Sequence, residues 1–194
     1  RSPQANPQQL VDTLDKLVVE AKRAGDVVRR LRDFFRGGSR KLETVALPAV
    51  IDDVLAKIRP RAAAAEITLQ YRVHGEIPPL VVDRTQIEVV VRNLVANALD
   101  AVAAIPAPRE VAVDVSPEQR SGDVLVAVRD NGPGIGDEQM EHLFEPFATS
   151  KATGMGMGLA ISRAIVEAHG GRLWAKRGTG AVLCFSLPVH AEHE

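Results

Sequence analysis

The chain has 194 residues, of which 45% are hydrophobic, 25% are charged and only 4% are aromatic, and its formal net charge is −1. That length suits one domain with an appendage, and a nearly neutral chain has no overall field that would recruit nucleic acid or an anionic membrane. The single cysteine, Cys184, excludes a disulfide framework and a cysteine-rich metal site, and it suits a reducing cytoplasm. The sequence shows neither a signal peptide nor a run of 18 apolar residues, so we expect a cytoplasmic piece without membrane contact.

Residues 1–40 carry a hydrophobic repeat that is typical of a coiled-coil helix. Apolar residues recur at alternating spacings of four and three from Leu10 to Phe35, with charged residues between them. So narrow an apolar stripe predicts self-association with a partner helix, and a helix packed on its own domain is the alternative. Glycines and a serine within residues 36–41 predict a linker. We therefore expect a long N-terminal helix with its linker at 1–40 and a globular domain at 41–194.

The globular part alternates between helical and extended patterns. Pro48 suits the first turn of a helix, whereas Pro60 is expected to kink or split that helix. Asp83 is placed to cap the longest helix, and Gly170 and Gly171 are placed to end the last one. A mixed sheet covered by helices on one face, which is an α/β (α+β) two-layer sandwich, is the simplest assembly. We expect helices at 47–65, 84–103, 137–143 and 157–168, and strands at 67–73, 80–82, 110–115, 123–129, 172–176 and 181–187.

Two asparagines lie one turn apart on the longest predicted helix. Asn93 and Asn97 share one helix face, and their apolar neighbours indicate that both amides border the core. A buried amide needs hydrogen-bond partners, which either backbone groups or a bound ligand can supply. An amide oxygen is also a ligand type that Mg²⁺ accepts.

Asp130 follows a hydrophobic strand and opens the run Asp-Asn-Gly-Pro-Gly. A carboxylate at this point can accept a hydrogen bond from the exocyclic amine of adenine, a donor that guanine lacks there. Gly132 and Gly134, which is followed by Ile135, let a purine approach the backbone where a Cβ would collide. These residue types also form ordinary turns, but the position after a buried strand favours a nucleotide site.

A polar, aperiodic segment comes next, bracketed by Phe144 and Phe147. We interpret residues 145–157 as a lid over the nucleotide, with the two phenylalanines anchoring its base. Thr149 and Lys151 lie in this lid. The lysine either reaches a phosphate group or is a solvated lid residue.

Three glycines, Gly154, Gly156 and Gly158, precede the last predicted helix, which begins near Met157 and Leu159. Small residues at a helix start expose backbone N–H groups, where the helix dipole favours anions. We therefore expect a triphosphate on the amides of residues 157–159. The glycine spacing matches neither the Walker nor the Rossmann pattern, so this phosphate site is not a P-loop. The later segment 178–180, Gly-Thr-Gly, is either a further glycine element of the site or only a hairpin turn.

In this order within residues 93–158, the four motifs resemble those of the catalytic ATP-binding domain of sensor histidine kinases. That domain belongs to the superfamily that also contains gyrase, Hsp90 and MutL. The resemblance covers about residues 44–188, and residues 10–36 look like the second helix of the kinase dimerisation hairpin. It implies a Bergerat-type fold that binds ATP or ADP with Mg²⁺, the metal being held by Asn97. It also implies that the residues named above between Asp130 and Leu159 contact the nucleotide.

The resemblance implies transfer of the ATP γ-phosphoryl group to a histidine, and then to an aspartate of a response regulator, in a homodimeric parent protein. Asn93, Asn97 and Lys151 would serve the transfer. ATP-hydrolysing relatives typically carry a water-activating glutamate at the position of Asn93. An amide cannot accept a proton near neutral pH, which favours a protein acceptor over water. The alternatives are a serine kinase of the same superfamily and a non-catalytic, nucleotide-gated interaction module.

The five histidines do not supply the expected acceptor. The family phosphorylates a histidine within a His-Glu or His-Asp motif on the first helix of its hairpin. None of the five lies in that context: His74, His142, His169, His190 and His193. We therefore expect a fragment whose acceptor helix is absent and which does not autophosphorylate alone.

Overall fold

The structure is a computed structural model, and it describes residue 18 and residues 41–118, 122–146 and 156–189. The chain divides into two units, Arg1–Ser39 and Arg40–Glu194. All described residues except Val18 belong to the second unit. The predicted coiled-coil stripe lies outside the described residues, as do four predicted site residues: Phe147, Thr149, Lys151 and Gly154.

The predicted helices and strands of the globular domain are confirmed, with ends shifted by two residues at most. One strand, Glu43–Val45, was not predicted, and it pairs antiparallel with the strand Leu80–Val82. None of the helices in the described ranges is both long and apolar enough to cross a membrane. In chain order the elements are β1 Glu43–Val45, α1 Leu47–Ala64, β2 Ile67–Val73, β3 Leu80–Val82, α2 Arg84–Ala103, β4 Arg109–Pro117, β5 Val124–Asp130, α3 Asp137–His142, α4 Gly158–Ala168, β6 Arg172–Arg177 and β7 Ala181–Leu187.

The helix ends follow the sequence signals, with one correction at Pro60. Asp83 caps α2, because its carboxylate accepts a hydrogen bond from the Gln86 N–H at 3.1 Å. The α4 helix ends at Gly170 and Gly171, whose N–H groups bond back into its last turn. The expectation that Pro60 splits α1 is wrong, since α1 is one helix of 18 residues. Both Pro60 and the residue one turn before it are exposed, and at an exposed position water can serve the carbonyl that a proline leaves without its helix partner.

Five strands form one mixed sheet in the order β2-β4-β5-β7-β6. The β2–β4 pair is parallel and the other pairs are antiparallel. Alternate residues face the helices and are buried. Val113 and Val128, for example, are register partners, as are Val126 and Phe185. Helices α1, α2 and α4 supply the other layer of this core, which confirms the predicted two-layer α/β sandwich.

Two polar bridges join elements of this core. The His169 ring connects the end of α4 to the start of α2: Nδ1 donates to the Ile165 carbonyl at 2.8 Å, and Nε2 accepts from the Asp83 N–H at 3.0 Å. The Tyr71 hydroxyl donates to the Pro48 carbonyl at 2.9 Å and so ties β2 to α1. Burial raises the pKa of Tyr71 to about 12, with a smaller contribution from the negative charge of Asp52.

The register of β5 places the candidate site. Asp130 is the register partner of Val111, whose side chain is buried on the helix-covered face. Since register partners project to the same face, the Asp130 side chain lies on the side where α2 and α4 pack. Among the described residues, the predicted nucleotide contacts therefore lie where β5 ends, along one face of α2 and at the start of α4.

Candidate nucleotide-binding site

The Asp130 carboxylate is oriented by two separate backbone segments. Its Oδ1 accepts hydrogen bonds from the Gly132 N–H at 2.9 Å and from the Ala181 N–H at 3.2 Å. The first donor lies in the loop after β5, and the second begins β7. Both bonds end on the same oxygen, so the carboxylate is held in one orientation by the protein itself.

Two glycines permit the close packing around this carboxylate. A Cβ on Gly180 would lie 1.9 Å from the Asp130 carbonyl oxygen, and a Cβ on Gly132 would lie 2.9 Å from Asp130 Oδ1 and 3.1 Å from the Ala101 Cβ. The first separation is impossible for any side chain, and the second would displace the carboxylate or α2. The segment 178–180 thus packs directly against Asp130, the predicted adenine contact, through Gly180.

Asn131, the middle residue of the Asp-Asn-Gly run, has a different task. Its Oδ1 accepts from the Glu110 N–H at 2.8 Å, and its Nδ2 donates to the Pro108 carbonyl at 2.8 Å. These two bonds fasten the start of β4 and the proline before it to the residue that follows β5. The asparagine amide thus stabilises the wall of the site.

The two asparagines of α2 occupy the border of the core, as predicted. Asn93 and Asn97 are both half-buried. The Asn93 Nδ2 donates to the Gly158 carbonyl and to Ser162 Oγ, each at 3.3 Å, and so connects α2 to the first turn of α4. Ser162 is fully buried, and its hydroxyl donates to the Gly158 carbonyl at 2.8 Å. No local pattern singles out Ser162, because a serine within a helix is common and usually has no functional role.

The start of α4 has the local features expected for an anion site. Gly156 has a φ of +64°, a left-handed conformation that favours glycine, and α4 begins two residues later. Met157 is buried, and Leu159 packs against the core at half burial. The first N–H groups of any α-helix, α4 included, have no acceptor within the helix. Asn93 contacts this first turn of α4, and Asn97 lies one turn further along α2.

Ile135 and Phe144 both pack against the hydrophobic core at half burial. The Arg163 guanidinium on α4 lies over the Phe144 ring, 5.9 Å from its centroid. Beside this ring, His142 Nδ1 is 3.0 Å from a carboxylate oxygen of Glu145, and that hydrogen bond raises the pKa of the imidazole. Phe144 thus contacts α4 through Arg163, and its role as an anchor of the lid stays a prediction.

A known protein family matches the part of the chain that contains the candidate site. The family model for histidine kinase-, DNA gyrase B- and HSP90-like ATPases matches residues 82–191, a range that holds α2, β5 and α4. The chain belongs to this family. It is an ATPase-type domain of the kind found in sensor histidine kinases, and ATP is the nucleotide of that family.

Two bacterial relatives of this chain are sensor proteins. The chain is 37% identical to the sensor protein FixL of Bradyrhizobium diazoefficiens, over 99% of this chain and 38% of FixL. It is 36% identical to the C4-dicarboxylate transport sensor protein DctS of Rhodobacter capsulatus, over 98% of this chain and 29% of DctS. The chain thus spans less than two-fifths of the length of these curated relatives.

Solved structures of histidine kinases share the fold. The catalytic domain of histidine kinase ThkA matches with a TM-score of 0.68 and 31% identity, over 76% of this chain and 95% of that domain. ThkA in complex with the response regulator protein TrrA matches with a TM-score of 0.72 and 25% identity, over 96% of this chain and 53% of that chain.

Proposed function

We propose that this domain binds Mg-ATP between the end of β5, one face of α2 and the start of α4, and that it transfers the γ-phosphoryl group to a histidine on a helix of its parent protein. A response-regulator aspartate then receives the group. Kinship with FixL and DctS and similarity to ThkA, which was solved with a response regulator, support this assignment. The predicted helix at 1–40 would contribute to a homodimer of the parent protein.

Asp130 supplies the base specificity in this proposal. Two backbone N–H groups on Oδ1 fix the orientation of the carboxylate. In this proposal Oδ2 accepts a hydrogen bond from the exocyclic amine of adenine. A carboxylate accepts but does not donate near neutral pH, and it would meet an acceptor on guanine. The domain should therefore prefer ATP to GTP.

The phosphates would lie on the amides of residues 157–159, with Asn97 as the protein ligand of Mg²⁺. No group of three or more His, Cys, Asp or Glu side chains within 41–118, 122–146 and 156–189 could hold a metal. An amide oxygen with phosphate oxygens and waters is a donor set that suits Mg²⁺. When bound, the ion neutralises phosphate charge. Phe147, Thr149, Lys151 and Gly154 are the proposed lid contacts.

One observation carries the choice of acceptor: the Asn93 amide donates its N–H groups to α4 and offers no base. Water would need such a base to attack ATP efficiently, whereas a neutral imidazole nitrogen already has a nucleophilic lone pair. That lone pair forms the new N–P bond as the bond from the γ-phosphorus to the bridging oxygen breaks. ADP leaves with that oxygen, and the imidazole loses its ring proton to solvent.

The test uses ATP radiolabelled at the γ-phosphate, with and without an acceptor-helix peptide from the parent protein. We expect the chain alone to bind ATP without acquiring label, and to label the peptide slowly, with an acid-labile and alkali-stable bond. Asn97→Ala should abolish the labelling while retaining most of the nucleotide affinity. Rapid release of phosphate without the peptide would indicate an ATPase, and an acid-stable label would indicate a serine kinase. Either result would contradict the proposal.

A further inference from the structure

The strongest unassigned feature is the hydrogen-bond network that joins α2 to α4, which comprises Asn93, the Gly158 carbonyl and Ser162. We call it the α2–α4 network. Three polar groups from two helices meet here, and one of them, Ser162, is fully buried. A buried hydroxyl is retained at a cost unless it is fully hydrogen-bonded, and this one both donates and accepts.

The network fixes the orientation of the Asn93 amide. Its nitrogen faces two acceptors, the Gly158 carbonyl and Ser162 Oγ, whose own proton is directed to the same carbonyl. A flipped amide would place Oδ1 against the carbonyl, acceptor to acceptor. Asn93 therefore presents only donors to α4, and its oxygen is turned away from Gly158.

The position of the network links it to the proposed phosphate site. Gly158 is the first residue of α4, so the network holds the helix turn whose N–H groups would bind the phosphates. On α2, Asn93 lies one turn before Asn97, the proposed metal ligand. The same contact thus sets the distance between the phosphate amides and the metal ligand, and phosphoryl transfer is sensitive to such positioning.

We infer that Ser162 is a positioning residue for the triphosphate subsite, acting through Asn93 and the Gly158 carbonyl. This inference rests on the proposed function. Ser162 itself cannot touch the nucleotide, because no part of it is exposed. Any effect of its substitution on the γ-phosphate must therefore pass through the two groups that it contacts.

The test compares the affinities for Mg-ATP and Mg-ADP, since their ratio isolates the γ-phosphate. Ser162→Ala removes the acceptor of one Asn93 N–H and the hydroxyl that donates to the Gly158 carbonyl, which still accepts from the Asn93 amide. We expect it to weaken ATP binding about fivefold to thirtyfold, with ADP binding changed about twofold at most. Ser162→Cys, which is similar in shape but a weaker hydrogen-bonding group, should fall between wild type and alanine.

Ser186→Ala is the matched control. Ser186 is also a buried serine, at 5% exposure, but it lies in β7 one position away from the helix-facing residues Phe185 and Leu187 and so projects to the opposite face. It should leave the ratio of ATP to ADP affinity unchanged. A double-mutant cycle completes the test: after Asn93→Ala, Ser162→Ala should weaken ATP binding little further, because the two act as one unit.

The outcomes separate the two hypotheses. If the unsubstituted chain binds no ATP by calorimetry, the proposed function fails and this inference fails with it. If the unsubstituted chain binds ATP and the folded Ser162→Ala and Ser162→Cys variants keep its ATP-to-ADP ratio, the positioning role alone is wrong. Equal weakening of ATP and ADP in both variants would also overturn it, because a general loss of packing predicts that pattern.

Discussion

Replacing Asp130 by asparagine tests the adenine contact with little change of shape. The asparagine Oδ1 can still accept from the Gly132 and Ala181 N–H groups, so the loop and the start of β7 should keep their positions. The second oxygen becomes an NH₂ group, which meets the exocyclic amine of adenine donor to donor. Loss of a charge-assisted hydrogen bond costs about 1.5–3 kcal/mol, or about tenfold to a hundredfold in ATP affinity.

The same substitution makes a prediction about guanine. Guanine carries an acceptor where adenine carries its amine, and the new NH₂ group can donate to it. The substitution should therefore weaken ATP binding and strengthen GTP binding, so that the ratio of the two affinities falls by more than the ATP affinity does. Calorimetric titration with both nucleotides measures both affinities. The control is Asp114→Asn, since the Asp114 carboxylate lies on the opposite face of the sheet beside Arg129 and His74. An unchanged ATP affinity and an unchanged preference would remove Asp130 from the site.

Three further predictions concern the framework of the site. Gly156→Ala should destabilise the fold by about 1–2 kcal/mol in urea denaturation, because alanine is strained at a φ of +64°. Gly158→Ala is the control and should be nearly neutral, because its Cβ would meet Asn93 at an ordinary 3.8 Å. His169→Ala should lower the free energy of unfolding by about 2–3 kcal/mol, since it removes a buried ring and leaves the buried Asp83 N–H unpaired, while the exposed His74→Ala should stay within about 0.5 kcal/mol. Tyr71 has its pKa raised from 10.0 to about 12, so its neutral form stabilises the fold below pH 10 and this contribution is lost as pH rises toward 12. Tyr71→Phe should cost about 1 kcal/mol at neutral pH, and its deficit relative to wild type should shrink over that alkaline window; a constant deficit would contradict the assignment.

The helices and the long strands were predictable because their patterns are local. Alternation marks β2, a hydrophobic run marks β7, a side-chain cap at Asp83 marks the start of α2, and glycines mark the end of α4. The three-residue strand β1 is too short to show a period, and it exists only because β3, about 40 residues later, pairs with it. At Pro60 a local rule predicted a break that does not occur. The helix continues through this exposed proline because the packing of its other residues outweighs the local preference.

The candidate site residues come from sequence motifs, whereas the hydrogen bonds that orient them could not be predicted. The motifs identified Asn93, Asn97 and Asp130 as candidates because a carboxylate after a buried strand and amides on an apolar helix face are unusual. The partners that orient them are far away in the sequence: Ser162 lies 69 residues from Asn93, and Ala181 lies 51 residues from Asp130. No local pattern reports a hydrogen bond across such distances, so only the fold reveals them.

Backbone amide chemical shifts, recorded by proton–nitrogen NMR during titration with Mg-ATP, test the central claim most directly. We predict that the largest shifts fall on three separate segments, namely Gly132 and Gly134 after β5, residues 93–97 of α2, and residues 157–159 at the start of α4. Omission of Mg²⁺ should reduce the shifts on α2 and leave those after β5. Saturable shifts confined to the opposite face of the sheet, around Arg129 and Trp174, or no saturable shifts at all, would contradict the assignment of this pocket to ATP.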